Sequence, residues 1–290
     1  MTIAPAVNAW FEKNRRDLPW RADDYPAWGI LVSEIMLQQT PVARVIPRLE
    51  AWLERWPTPA ALAAAEPGEA VRAWERLGYP RRALRLHAAA VAITEKHGGV
   101  VPSEVDDLLA LPGIGEYTAR AVAVFAYGKR HPVIDTNVRR VLARAIDGAA
   151  DAGPPATRRD LAAMETQLPV SDVAARTFNA AAMELGAVIC TARAPRCDDC
   201  PIASQCAWRL AGYPPYEGAR RSRQKKYEGS DRQVRGIILA ALRSATGTLS
   251  VASLDELWPD ALQRGRALDG LLTDGLVVGE PQTGYELPRG

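Results

Sequence analysis

The sequence predicts an all-α protein, and three observations carry that reading. Apolar residues recur at helical spacing through one run after another, each closed by Pro or Gly. A glycine hairpin, Leu111-Pro112-Gly113-Ile114-Gly115, lies between two such runs. All four cysteines fall within Cys190–Cys206, spaced C-x6-C-x2-C-x5-C, in a stretch that Pro195 and Pro201 keep from being helical. With 290 residues and 48% hydrophobic content, the chain is long enough for two domains, or for one large core with an appendage.

Ala6–Asn14 reads as a helix, ended by the turn Leu18-Pro19-Trp20-Arg21. Trp28–Thr40, WGILVSEIMLQQT, is an apolar helix with a single carboxylate, Glu34, and two amides, Gln38 and Gln39. A lone Glu on a helix is by default solvated; with Ile30, Leu31, Ile35 and Leu37 as neighbours, the alternative is a partly desolvated cleft and a raised pKa. In that alternative it is a proton donor near neutral pH. Helical runs follow at Val42–Trp56, Pro59–Ala65, Gly68–Leu77 and Arg81–His97. Between the last two, Tyr79 sits in a Gly-Tyr-Pro break ahead of Arg81, Arg82 and Arg85, a pattern that suits either base stacking beside phosphate contacts or a tyrosine closing the core beside a solvated basic face.

In the hairpin, Gly113 and Gly115 allow a tight reversal and close approach of backbone N–H groups to a phosphate oxygen, although a glycine-capped turn between helices is the plainer alternative. Glu116–Tyr127 is helical, His131–Ile134 extended, and Asp135 opens the next helix as an N-cap. A carboxylate there is expected to stay ionised, held by backbone donors and the helix dipole. Leu161–Leu168 and Ala174–Ile189 complete the helical set before the cysteine loop, which also carries Arg193 and Arg196.

Two disulfides are disfavoured in a chain read as cytosolic. Zinc held by four cysteines usually sits between two C-x2-C pairs, and this chain has one such pair. An iron–sulfur cluster fits better, with zinc as the alternative. The net charge of +2 does not announce a nucleic-acid binder, so basic surface has to come from local clusters. One is the linker formed by Arg220, Arg221, Arg223, Lys225 and Lys226. From Asp231 the pattern restarts as three helices, to Arg243, around Leu254–Trp258 and over Pro259–Thr273, followed by a hairpin at Leu276–Val278 and Tyr285–Leu287. This reads as a small winged-helix-like domain. No stretch approaches the roughly eighteen uninterrupted apolar residues of a membrane span, and a cytoplasmic protein is expected.

Five motifs in fixed order carry a family resemblance: SEIMLQQT at 33–40, LGY at 77–79, LPGIGEYTARA at 111–121, D-x-NVRRVLAR at 135–144 and ELGAVIC…CDDCP…C at 184–206. Over residues 7–210 the chain resembles the helix-hairpin-helix DNA glycosylases, and among them the MutY-type adenine DNA glycosylases. The resemblance implies a glycosylase core over residues 1–216. Within it, a helical barrel domain covers about 28–132, and an iron–sulfur domain is built from 1–27 and 133–216. A basic linker at 217–230 and the winged-helix-like domain at 231–290 follow. It also implies a 4Fe-4S cluster on Cys190, Cys197, Cys200 and Cys206, and a monomer that acts on double-stranded DNA with a mispaired adenine, associated with the nucleoid when bound.

By the same resemblance the enzyme flips the nucleotide out, and Glu34 matches the residue that protonates the adenine. Asp135 matches the residue that stabilises the oxocarbenium-like sugar left behind. Tyr117 and Asn137 match positions that orient these groups. Tyr117 also stands where lyase-active relatives of endonuclease III type carry the lysine that forms a Schiff base, so an intact abasic strand is expected. Gln39 and Tyr79 match residues that wedge into the duplex, Gly113 and Gly115 belong to the DNA-binding hairpin, and Arg21 and Glu184 match the lining of the adenine pocket.

The sequence departs from the family pattern in several places. Pro80 replaces the second Tyr of Gly-Tyr-Tyr, Thr136 stands where Gly is usual, and Arg139 where some members have lysine. In place of the usual C-terminal domain that resembles nucleotide-diphosphate hydrolases and reads 8-oxoguanine, this chain has only residues 231–290. Two other functions compete with adenine excision: a mismatch thymine or uracil glycosylase on the same scaffold, and a non-catalytic iron–sulfur DNA-binding redox sensor.

Overall fold

The computed structural model describes residues 2–218 and 226–289, whose regular elements are helices and one two-stranded hairpin. Of the basic linker, residues 219–225 lie outside the described residues. In chain order the first helices are α1 (Ala4–Asn14), α2 (Ala27–Leu37), α3 (Val42–Arg55), α4 (Pro59–Ala63), α5 (Pro67–Trp74), α6 (Arg81–His97) and α7 (Val105–Leu109). There follow α8 (Glu116–Tyr127), α9 (Thr136–Ala145), α10 (Thr157–Glu165), α11 (Asp172–Val188) and α12 (Ala207–Leu210). The C-terminal segment holds α13 (Asp231–Ser244), α14 (Val251–Asp255), α15 (Ala261–Thr273), β1 (Val278–Glu280) and β2 (Gly284–Glu286).

Local chemistry explains most boundaries. Helices α6 and α8 have the expected limits because each is closed by a left-handed glycine, Gly98 at φ 60° and Gly128 at φ 69°. Helix α2 is shorter than the expected Trp28–Thr40. It ends at Leu37, because Pro41 disfavours helical backbone at Thr40 and the last carbonyls of the helix turn to a side chain described below. The stretch His131–Ile134 is braced by a side chain instead of a strand partner: Asn179 accepts from the Val133 N–H (2.8 Å) and donates to the His131 carbonyl (3.0 Å).

The chain divides into two compact units. The first comprises Met1–Ile30, Ser103–Asp106 and Gly115–Ser222. Its core joins α1, α9 and α11 through Val7, Phe11, Val138, Val141, Leu142, Phe178 and Leu185, with Met164 of α10 and Ile202 of the cysteine loop against it. The second comprises Leu31–Pro102, Asp107–Ile114 and Arg223–Gly290. Its interior includes Leu49, Leu62, Leu86 and Ile93, and Trp52 meets Trp56 and Trp74 edge to face. This grouping puts residues 115–132 with the N-terminal and later helices, where the sequence reading ran the middle domain to 132.

The same grouping puts the C-terminal segment with the middle helices. Three helices are followed by a hairpin pairing Val278 with Glu286 and Glu280 with Gly284, and Leu249 bridges to Tyr285. The segment holds α5 by backbone contacts. Arg243 donates to the Val71 carbonyl (2.9 Å), Arg72 donates to the Arg243 carbonyl, and the Gly68 N–H donates to the Pro288 carbonyl (2.7 Å). Among the described residues no helix is long and apolar enough to cross a membrane.

Candidate active site

Asp135 caps α9 with backbone in the extended region, φ −98° and ψ −175°. Its Oδ1 accepts from the N–H groups of Asn137 (2.9 Å) and Val138 (2.7 Å), and its Oδ2 accepts from the Asn137 side chain (2.7 Å). Burial pushes this carboxyl above its ordinary range, against the opposing pull of those three hydrogen bonds and of Arg140. In the direction of this shift, burial outweighs the donors. The Asn137 amide oxygen accepts in turn from Arg140 Nη2 (2.8 Å), and Arg140 also donates to the carbonyls of Gly186 (2.7 Å) and Cys190 (2.7 Å). Helix α11 comes so close here that a Cβ on Gly186 would stand 2.7 Å from Asn137 Cβ. Tyr117, on α8, packs partly buried against Ala121, Val124 and Val133.

Glu34 lies in the second unit, on α2. It is 5% exposed, and its neighbours along the helix, Leu31 (0%) and Ile35 (3%), are equally dry. Beyond the end of α2, Gln39 adopts φ 58°, and Tyr79 in the Gly-Tyr-Pro break adopts φ 46°. The Tyr79 hydroxyl donates to Gln39 Oε1 at 2.7 Å, and both residues are exposed. These two candidate wedge residues, forty positions apart, are thus one surface feature.

In the first unit, Glu184 is 1% exposed and held by two arginines. Arg21 donates to Oε2 (2.8 Å), while Arg16 forks onto Oε1 (2.7 Å) and Oε2 (2.8 Å) and adds its backbone N–H to Oε1 (3.1 Å). Burial works to raise the Glu184 carboxyl, but the hydrogen bonds from Arg16 and Arg21 override it and hold the group down at about 2. Arg21 and Glu184, singled out separately by the sequence, are thus joined by an ion pair. Arg16 was missed, because nothing near an ordinary helix end marks it as the partner of a carboxylate 168 positions away.

The hairpin glycines differ. Gly113 has φ 76°, and a Cβ there would meet Arg85 Cβ at 2.6 Å, so both backbone and space demand glycine. Gly115 is extended at the N-cap of α8, with open space around it.

The cysteine loop wraps a cavity lined by all four thiols together with Ile189, Pro195, Ile202, Trp208 and the arginines Arg144 and Arg209. Among the described residues no three Cys, His or carboxylate side chains converge closely enough for a single metal ion. The thiols stand around a space, as the corners of a cluster require, with apolar walls to exclude water. Arg144, 5% exposed, donates to Cys190 Sγ (3.4 Å) and the Thr191 carbonyl (2.8 Å), and its guanidinium lies 4.6 Å from the Trp208 ring. These residues fit a four-thiolate iron–sulfur cluster.

Residues 32–164 match the HhH-GPD superfamily base excision DNA repair protein, and residues 190–206 match the iron–sulfur binding domain of endonuclease III. Over 279 residues the chain is 58% identical to an adenine DNA glycosylase of Mycolicibacterium smegmatis, a match covering 96% of this chain and 93% of the relative. The chain belongs to the adenine DNA glycosylase family. The corresponding Mycobacterium tuberculosis protein is 53% identical, over 97% of this chain and 91% of its own length. The human family member is 41% identical, over 69% of this chain and 38% of its own length. Thus the C-terminal segment lies largely inside the mycobacterial matches. Among solved structures, a thermostable thymine-DNA glycosylase superposes with TM-score 0.66 at 27% identity, covering 72% of this chain and 95% of that one. An endonuclease III–DNA covalent intermediate shares the fold at TM-score 0.62 and 20% identity, covering 73% of this chain and 95% of that one.

The family's cofactor is the 4Fe-4S cluster, and the zinc alternative falls. The departures from the family pattern are locally benign. Pro80 opens α6, a position suited to its fixed φ. Thr136 is the exposed first residue of α9. Arg139 turns to Asp160 (2.7 Å) and to the carbonyls of Ala152, Gly153 and Pro154, holding the loop ahead of α10.

Proposed function

We propose that this enzyme removes adenine mispaired with 8-oxoguanine or guanine from double-stranded DNA by hydrolysis of the N-glycosidic bond, leaving an intact abasic strand. The observation that carries the reading is Asp135: a carboxylate with both oxygens engaged by three fixed donors at a helix N-terminus is preorganised to stabilise a sugar cation. Glu34 supplies the proton, a carboxyl 5% exposed on α2 between the buried Leu31 and Ile35. Asn137 orients Asp135 through its amide, and Tyr117 orients the sugar. A phenol forms no Schiff base, which supports a glycosylase without lyase activity.

Gln39 and Tyr79 enter the duplex where the nucleotide leaves it. Gly113 and Gly115 admit a phosphate to the hairpin backbone, and Arg21 with Glu184 borders the adenine pocket. When bound, the cluster cross-links the loop 190–206 through four thiolates, presenting Arg193 and Arg196 to phosphate. We further propose that the protein acts as a monomer in the cytoplasm, on the nucleoid.

The test is single-turnover base release from duplexes carrying adenine opposite 8-oxoguanine, adenine opposite guanine and thymine opposite guanine. The expected result is adenine release, fastest opposite 8-oxoguanine, with a loss of about 10²–10⁴-fold or more in Glu34→Gln and Asp135→Asn at unchanged duplex affinity. Release of thymine without adenine would instead favour the mismatch thymine reading, which the likeness to the thymine-DNA glycosylase supports. Full biological effect in Glu34→Gln would favour a binding protein without catalysis.

A further inference from the structure

One buried arginine ties together the two loops that carry the candidate wedge. Arg82, in the first turn of α6, is 6% exposed and has no carboxylate among its hydrogen-bond partners. Its Nη1 donates to the carbonyls of Ile35 (2.7 Å), Met36 (3.0 Å) and Gln38 (2.6 Å). Its Nη2 donates to Thr40 Oγ1 (3.0 Å) and to the carbonyls of Gly78 (3.1 Å) and Leu77 (3.5 Å). The guanidinium lies 5.3 Å from the Trp74 ring and 5.4 Å from the Tyr79 ring. Thr40 closes the set by donating to the Leu77 carbonyl at 3.2 Å.

The arrangement answers a physical problem. A helix leaves its last carbonyls without intrahelical donors, and α2 ends two residues before Gln39. Gln39 and Tyr79 both hold left-handed backbone, which side-chain-bearing residues keep only where surrounding contacts over-determine it. Arg82 supplies those contacts on both sides, touching residues 38 and 40 around one of them and residues 77 and 78 before the other. A planar fork with five N–H donors can do this, whereas an ammonium with three donors cannot span the set.

We propose that Arg82 is a positioning residue that locks Gln39 and Tyr79 into their shared, hydrogen-bonded pose before DNA arrives. The proposal rests on the reading that these two side chains enter the duplex. In the free enzyme the wedge is therefore preassembled, and binding energy is not spent on ordering two loops.

The experiment uses the full-length, cluster-loaded protein with Arg82→Lys, Thr40→Val, Gln39→Ala and Tyr79→Ala. Duplexes carry 2-aminopurine beside the mispaired adenine, so that fluorescence reports unstacking; single-turnover release, thermal stability and cluster absorbance are measured in parallel. Arg82→Lys is expected to keep the cluster absorbance, to lose most of the fluorescence rise, and to slow release about 10- to 100-fold, the range for a misplaced positioning group. Thr40→Val, a milder cut at the same hub, is expected to show a smaller loss of the same kind. Arg82→Lys combined with Gln39→Ala and Tyr79→Ala should lose no more than Gln39→Ala with Tyr79→Ala alone, because the arginine acts through those side chains. An unchanged fluorescence rise in Arg82→Lys, alongside its loss in Gln39→Ala and Tyr79→Ala, would overturn the proposal and leave the wedge reading intact. An unchanged rise in Gln39→Ala and Tyr79→Ala would overturn the wedge reading itself. If Arg82→Lys fails to fold, Thr40→Val decides: full fluorescence and full rate there overturn the role of the hub.

Discussion

At Glu184 two arginines meet one carboxylate that water scarcely reaches, and the consequence is a pH-dependent contribution to stability. Held at about 2 in the fold against an ordinary 4.5, Glu184 stabilises the native state fully above pH 4.5 and ceases to do so as pH falls toward 2. The shift corresponds to at most about 3 kcal/mol, since Arg16 is partly exposed to screening solvent. Glu184→Gln should therefore be less stable than the parent by up to about 3 kcal/mol at pH 7, with the gap narrowing only below about pH 4.5. Denaturant titrations at pH 7, 5 and 3.5 check this, and a gap that is constant across all three would refute the assignment. Arg21 and Glu184 were each marked as candidates by motif position, whereas their ion pair and the part played by Arg16 were not, since these exist only once α1 and α11 are packed.

At the scale of elements, the spacing of α9 and α11 matters more than either helix's propensity. Gly186 lets α11 sit against Asn137, whose amide steadies Asp135. Gly186→Ala would put a methyl 2.7 Å from Asn137 Cβ and 2.9 Å from its carbonyl oxygen, neither of which can swing aside as a flexible side chain does. An overpacking cost of about 1–3 kcal/mol is expected, together with slower single-turnover release at near-normal duplex affinity. Melting curves and pre-steady-state kinetics measure both, and loss of stability with an unchanged rate would separate this crossing from the geometry of Asp135. In the cysteine loop, Cys197→Ser is expected to weaken folding or DNA binding more than the chemical step; normal binding with lost single-turnover release would count against a structural cluster.

For the molecule as a whole, the C-terminal segment is the feature that sets this chain apart from relatives matched over the core alone. It is anchored on α5 through backbone groups, and three of its arginines are engaged with acidic partners: Arg264 with Asp255 (2.6 Å), Arg266 with Asp231 (3.5 Å), Arg235 with Asp274. Asp274 also reaches Arg81 of α6 at 3.1 Å. Gly68 is the tightest point of this anchorage, since a Cβ there would stand 2.6 Å from the Pro288 carbonyl oxygen. Gly68→Leu should therefore loosen the segment, seen as faster amide exchange and proteolysis within residues 226–289 while the cluster absorbance persists. Unchanged protection would show that the segment is held elsewhere.

Residue chemistry and local spacing were sufficient for the helical fold class, for most helix limits, for the cysteine framework, and for marking Glu34 and the helix-capping Asp135 as separate candidates. Each of these is encoded within a few turns of chain, in periodicity, caps, glycines and ligand intervals. The end of α2, the hub at Arg82, the second arginine on Glu184 and the anchorage of the C-terminal segment required the folded chain. In these cases a carbonyl or carboxylate finds its donor dozens to well over a hundred positions away, and the balance between desolvation and hydrogen bonding at Asp135 depends on which neighbours exclude water.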